Sequence, residues 1–504
     1  MAESLEQLRR RLAEISDLGR ARALLAWDER THMPAAGADQ RSRQMATLAR
    51  LRHELLRSDE LGRLLDEAGG EAEGRDADSD DACLVRIARR EWSKARRVPS
   101  ELRAELTRQG ALSEHAWVSA KAESDFGALL PHLERNFELR RRYAECFDGY
   151  QGFEHPYDPL LDDFEPGAST ERMRVLLGEL RDGVVALTEQ VEASGVVVED
   201  AFLRGSFDPG RQRQVVQTVL ESLPLPEEGW RLDPTAHPFA SAISTTDIRL
   251  TTHYDAAYLG AGLWSGIHEA GHGLYESGIA PELRRTPLCR PPSLGLHESQ
   301  SRLWENWVGR GAPFLEWLAP RLRDAFPEQF STVDAAALHR AAGRIERTPI
   351  RVNADEVTYN LHIVLRFELE LELFEGKLEV SELPEAWNAR TAEYLGLEVA
   401  DDAHGVLQDV HWASGSFGYF PTYSLGNIMA AQIWEVVRTD LPDLADQLAA
   451  GDFRPLFEAL RERLYRHGGK WMPQETFERA TGTTLSVEPY LAYLRGRAEA
   501  VYGI

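Results

Sequence analysis

A chain of 504 residues exceeds the usual size of one hydrophobic core, so two lobes are expected within it. Its 43% hydrophobic and 28% charged residues argue against extensive disorder. The net charge of −25, from 82 Asp and Glu against 57 Lys and Arg, argues against nucleic acid or an anionic membrane as partner, since Lys and Arg bind both.

Three cysteines, Cys83, Cys146 and Cys289, are scattered without CxxC spacing. Neither a disulfide framework nor a cysteine zinc site is expected, and a reducing compartment fits. The opening MAESLEQLRRRLAEISDLG is charged where a signal peptide would be apolar. No run approaches the roughly 18 apolar residues of a membrane span. These readings place the protein in the cytoplasm.

Helical periodicity begins at once. Leu5, Leu8, Leu12 and Ile15 recur at three- and four-residue steps within 3–25. The same pattern predicts helices over 39–66, 80–95, 100–124, 128–147 and 170–194, with breaks at 34–37, 154–167 and 205–210. The acidic stretch 67–81, EAGGEAEGRDADSDD, reads as an exposed loop. Residues 230–254 depart from the helical rule: Pro, Ser, Thr and β-branched residues, with alternation through Ile248-Arg249-Leu250-Thr251, predict a small sheet. An edge strand there could hold an extended peptide. Helix resumes from 255 to the end, including one long helix between the acidic pair Asp355-Glu356 and the stop at Gly376. The alternation RFELELELF at 366–374 is assigned to that helix despite its strand-like pattern.

The chemistry concentrates in the region predicted as two helices over about 256–309. LWSGIHEAGHGLYESG at 263–278 places His268 and His272 four apart, on one helical face. Two imidazoles and a carboxylate among Trp264, Ile267, Ala270 and Leu274 need a reason, because buried polar groups are costly unless paired. A divalent ion supplies one. LGLHESQSRLWENW at 294–307 offers the third ligand, Glu298 or, alternatively, His297. Adjacent helical residues point about 100° apart, so one ion would not take both. Two His and one carboxylate leave a position open, as in a catalytic site. Glu269, between the histidines, is placed to act as general base toward a metal-bound water. Zinc suits this donor set, with cobalt or another divalent metal as alternatives.

HEAGHGLYE and HESQS resemble the M32 metallocarboxypeptidases. The resemblance extends through LLAWDERTHMP at 24–34, His237-Pro238-Phe239, DIRLTT at 247–252, IRVNAD at 350–355, GVLQDVHW at 405–412 and FGYFPTYSLGN at 417–427. It implies a mainly α, two-lobed helical zinc-peptidase (gluzincin-like) fold with a deep active-site groove and one small β-sheet near the metal helix. It also implies a single peptidase domain over 1–504, one ion per chain, and a homodimer. His268, His272 and Glu298 are the implied ligands, and Glu269 the implied base and acid. The implied activity is release of single residues from peptides with a free C-terminus. Arg351 is then the carboxylate anchor, an Arg fork being suited to bidentate binding.

Arg249 is the other candidate anchor, or a structural partner of Asp247. Tyr419 and Tyr423 could donate to the oxyanion, with Gly415 and Gly418 letting their loop move. His411 and His237 could contact substrate, or order the wall and a turn. Two departures from expectation are Gly273, where a better helix former would stand, and His253 in place of a basic residue. The rival readings are an endo-acting zinc oligopeptidase and an inactive helical binding protein.

Overall fold

The structure, a computed structural model, describes residues 3–504. The first helix, α1 (Glu3–Thr31), outruns its predicted end, and Leu5, Leu8, Leu12 and Ile15 are its buried stripe. The helix predicted over 39–66 is two, α2 (Ala38–Leu56) and α3 (Asp59–Ala72). Ser58 separates them because its side chain accepts from Leu61 N and caps α3. The loop expected over 67–81 is correspondingly shorter: α3 continues into it, and α4 (Asp80–Arg97) begins before it ends. Leu61, Leu64, Leu65 and Ala68 bury one face of α3, which outweighs the two glycines at Gly69-Gly70.

Next come α5 (Ser100–Glu123), α6 (Phe126–Glu145), the short α7 (Asp158–Asp162), α8 (Thr170–Ser194) and α9 (Pro209–Ser222). The predicted sheet is present as β1 (Trp230–Pro234), β2 (Ala240–Ser244) and β3 (Asp247–Thr252), in the order β1-β3-β2. β1 runs parallel to β3, and β2 pairs antiparallel with it. α10 (Leu259–Gly278) and α11 (Leu294–Arg302) follow, the latter continuing as a π-helical stretch over Leu303–Gly309. The remaining helices that matter here are α12 (Ala312–Ala325), α13 (Pro327–Phe330), α14 (Ala335–Ala342), α15 (Tyr359–Phe374), α16 (Leu383–Leu395) and α17 (Pro421–Asp440).

The chain divides into two compact units, each built from three segments. The first comprises 1–96, 199–342 and 429–485, and within it α10 packs on β3, α9 and α11. The second comprises 97–198, 343–428 and 486–504, and α15 lies at its centre against α8 and α16. α15 is buried nearly all round, with Leu361, Ile363, Leu369 and even Arg366 inaccessible. Its predicted acidic first turn lies upstream of it: Asp355 Oδ1 instead accepts from the backbone N–H of Val357 and Thr358. Among the described residues no helix is long and apolar enough to cross a membrane.

Candidate metal centre

α10 carries the two histidines on a helix with almost no room around it. A Cβ at Gly271 would lie 2.7 Å from Gln300 O and Ser301 Cα, so α11 approaches the α10 backbone directly at this point. A Cβ at Gly273 would lie 2.8 Å from Ile248 Cγ2 on β3. The glycine that looked costly for a helix is therefore what lets the helix sit on the sheet. Helix propensity gives up about 1 kcal/mol per glycine, and close packing on two sides is gained in return.

That close approach brings Glu298 to the histidines. Ser293 caps α11 by accepting from Leu296 N, and one turn later Glu298 Oε2 lies 3.6 Å from His268 Nε2 and 3.5 Å from His272 Nε2. All three donor atoms fall within 4.8 Å of one another. Donors about 2.0–2.1 Å from a tetrahedral ion stand roughly 3.3 Å apart, so these groups fit a zinc-sized cation with only small adjustment. His297, the alternative ligand, points elsewhere. Its ring lies against that of His272, centroids 4.1 Å apart, and its Nε2 faces Glu276 at 3.9 Å.

The surroundings fix each donor's role. Arg302 Nε donates to Glu298 Oε1 at 2.7 Å, leaving Oε2 toward the histidines, where Ser301 Oγ also donates to it. His268 Nδ1 meets Glu305 Oε2 at 2.9 Å, and Glu305 is itself held by Arg302 and Arg310. A carboxylate on one ring nitrogen fixes the tautomer that leaves the other free for a metal. Glu305, Arg302 and Arg310 escaped the sequence reading. The available signal was position: Glu305 stands seven residues after Glu298, two turns along the same face.

The electrostatics call for a cation. Three buried carboxylates, Glu269, Glu298 and Glu305, face two arginines and two histidines. Burial alone would lower the His268 pKa, yet Glu298 and Glu305 raise it to about 10. Burial raises the Glu269 carboxyl above its ordinary range, against the pull of the two histidines, which suits a group that must take up a proton.

The second unit holds the other predicted residues, around α15. Arg351 directs Nε and Nη2 at Asp409, with Nη2 2.8 Å from Oδ1, and Nη1 donates to the Tyr359 hydroxyl at 2.9 Å. Arg366, fully buried, shares Asp409. Asp409 alone is paired directly with the two guanidinium groups, and the Glu370 carboxyl interacts with Arg366 at longer range. Burial and the two arginines hold His411 down to about 4, so it is neutral here. Its ring neighbours Tyr419 at 5.2 Å and Tyr423 at 6.4 Å, and the two tyrosines lie 5.3 Å apart. Sequence reasoning missed Asp409 as the group that orients Arg351.

Arg249 behaves as a structural residue. Nε and Nη2 both go to Asp247, and the guanidinium stacks 4.7 Å over Trp27 of α1. Arg231 covers the same ring at 5.0 Å. His237 is exposed in the turn between β1 and β2, and His253 touches Thr235 O. Gly418 is not a hinge: a Cβ there would lie 2.5 Å from the Leu160 backbone, so glycine is required by close contact.

A mainly helical protein with a His-Glu-x-x-His helix, a glutamate from the next helix and a carboxylate behind the first histidine is built as a metallopeptidase. The sequence profile of the Carboxypeptidase Taq (M32) metallopeptidase family matches residues 7–498, and the chain belongs to that family. Thermostable carboxypeptidase 1 of Thermus thermophilus is 40% identical over 99% of both chains. Carboxypeptidase 1 of Bacillus subtilis is 36% identical over 97% of both. Among solved structures, the M32 carboxypeptidase of Deinococcus radiodurans superposes with a TM-score of 0.95 at 38% identity over 100% of both chains. The Pyrococcus furiosus carboxypeptidase gives 0.95 at 33% identity over 99% of both.

Proposed function

We propose that this metal-dependent carboxypeptidase releases single residues from peptide C-termini, with His268, His272 and Glu298 holding one zinc-type ion. The observation that carries the reading is the convergence of three donor atoms within 4.8 Å of one another, with Glu298 Oε2 3.5–3.6 Å from each histidine, in a site with an excess of buried negative charge. When bound, such an ion supplies Lewis acidity to a water and to the scissile carbonyl. Glu269 takes the proton of the attacking water as the new C–O bond forms, and delivers it to the amine as the C–N bond breaks. Tyr419 or Tyr423 donates a phenolic hydrogen bond to the developing oxyanion.

Arg351 recognises the free carboxylate. Its Nε–Nη2 edge is occupied by Asp409 and Nη1 donates to the Tyr359 hydroxyl, and of the five N–H groups of the guanidinium one on each Nη is left over. Asp409 thus aims the guanidinium rather than consuming it, and the second arginine, Arg366, leaves the cluster in need of an anion. His411, neutral and ringed by tyrosines, forms part of the same surface. Arg249, already paired and stacked, is not assigned to substrate. The reading extends to a cytoplasmic homodimer that binds peptides and neither nucleic acid nor membrane, in keeping with the family resemblance, the charge of −25 and the scattered cysteines.

The test is hydrolysis of a blocked peptide with a free C-terminus, followed by mass, for wild type and Glu269→Gln, with metal content measured in both. Stepwise loss of single residues by wild type, and a fall of about 10²–10⁴ in kcat for a variant that keeps its metal, is the expected result. Cleavage of internal bonds, or equal cleavage of C-terminally amidated peptides, would establish an endo-acting oligopeptidase instead.

A further inference from the structure

The segment carrying His411, Tyr419 and Tyr423 was expected to move on its glycines, yet it is held by two buried side chains of opposite hydrogen-bonding sense. Glu370, inaccessible on α15, accepts from Trp412 Nε1 at 2.7 Å through Oε1 and from Gly418 N at 2.7 Å through Oε2. The Tyr157 hydroxyl donates to the same Oε2. Asn136 on α6, also buried, donates through Nδ2 to Trp412 O at 3.0 Å and Ala413 O at 2.7 Å. One side chain thus takes the N–H groups of the segment and the other its carbonyls.

The sequence explains why Glu370 alone of its neighbours does this. In ELELEL, Glu368 and Glu372 are four apart and share a face, whereas Glu370 lies about 200° from Glu368 at about 100° per residue. Glu368 and Glu372 pair with Arg181 and Arg390. Among the described residues no salt bridge reaches Glu370: its hydrogen-bond partners are three neutral donors, with the Arg366 charge acting on it from further away. Burial pushes its carboxyl up to about 7, so the position is costly to keep ionised. A costly acid kept where leucine would pack well has a task. The segment it pins is further closed by Ser416 N donating to His411 O and by the tight approach of Gly418 to Leu160.

We propose that Glu370 and Asn136 are positioning residues that clamp residues 411–418, holding His411 and the adjoining Tyr419 as a fixed wall beside Tyr423 of α17 rather than as a mobile lid. The inference rests on the reading that these rings serve peptide hydrolysis. Preorganised donors cost no rearrangement when charge develops, which is the advantage of a clamped wall over a hinged one.

Hydrogen exchange and kinetics on the full-length, metal-loaded protein test this. In Glu370→Gln the amide nitrogen replaces one of the two accepting oxygens, so it faces either Trp412 Nε1 or the pair Gly418 N and Tyr157 Oη, and that contact is lost. Backbone exchange across 411–420 should rise about tenfold or more, with α8 and α16 protected as in wild type. The value of kcat should fall about tenfold or more, with KM within about threefold and one metal per chain retained. Trp412→Phe deletes a single donor and should show the same pattern at smaller amplitude, which keeps the test open if Glu370→Gln fails to fold. Unchanged exchange at 411–420, exchange rising equally through the second unit, or faster local exchange with wild-type kcat would each overturn the clamp. Failure of the parent reading would look different: wild type would release no C-terminal residues, while its 411–420 segment remained protected.

Discussion

The metal centre of the first unit and the Arg351 cluster of the second are charge-imbalanced in opposite senses. Glu269, Glu298 and Glu305 outnumber Arg302 and Arg310, and the deficit shows as a proton held by His268 up to about 10. Arg351 and Arg366 both pair with Asp409, and burial, joined by the two arginines, holds His411 down to about 4. A folded protein rarely buries unbalanced charge without a ligand to neutralise it. The lesson is that the proposed function asks each cluster for a ligand of opposite sign, a cation for the first and an anion for the second.

Removing the positive excess should have the largest effect on this pairing. Arg351→Met leaves Asp409 to Arg366 alone, which balances the cluster and abolishes its need for an anion. The expected outcome is a loss of about 10²–10³ in kcat/KM on free-acid peptides, the scale of a lost charge-assisted bidentate contact. Metal content should stay at wild-type level. Comparing each free-acid peptide with its C-terminal amide sharpens the result, since discrimination between them should largely vanish. A variant that still discriminates would move the anchor to another residue.

The negative side is probed one step away from the ligands. Glu305→Gln keeps the shape behind His268 but removes the charge, and it leaves Arg302 and Arg310 less well matched. Metal affinity, measured by competition with a chelator, should weaken about 10–100-fold, the usual effect of losing such a partner. Activity at saturating metal should recover most of its wild-type value. An unchanged affinity would mean that Glu305 serves the fold and not the ion.

How much of this contrast could be read from the sequence follows from its physical range. The His268–His272–Glu298 group was legible because helix geometry ties His268 to His272 locally, and because Glu298 lies in the first turns of the next helix. Arg351 was legible only through family resemblance. Its partner Asp409 stands 58 residues away, and no local pattern joins them. Glu305 follows a helical step but sits in a π-helical stretch that the sequence does not announce. The glycines were misread for a related reason. Gly273 and Gly418 look like weak points along the chain, but the atoms they make room for, Ile248 and Leu160, come from other elements. The boundary between α2 and α3 was missed although Ser58 carried a capping signal, because the hydrophobic period continues across it.

The smallest expected effect comes from the arginine that lies outside both clusters. Arg249, on the strand next to the metal helix, was the other candidate for the carboxylate on sequence grounds, or a structural partner of Asp247. Its guanidinium is balanced by Asp247 and stacked on Trp27, which Arg231 and the His32 ring also contact. With no unmatched charge it has nothing to offer an anion. Arg249→Ala should therefore change KM by less than about threefold, while costing roughly 1 kcal/mol of stability from the lost stacking and ion pair. Thermal unfolding and steady-state kinetics on the same preparation separate the two. A large rise in KM with unchanged stability would make Arg249 a substrate residue and would remove charge imbalance as the guide that distinguishes binding arginines from structural ones in this protein.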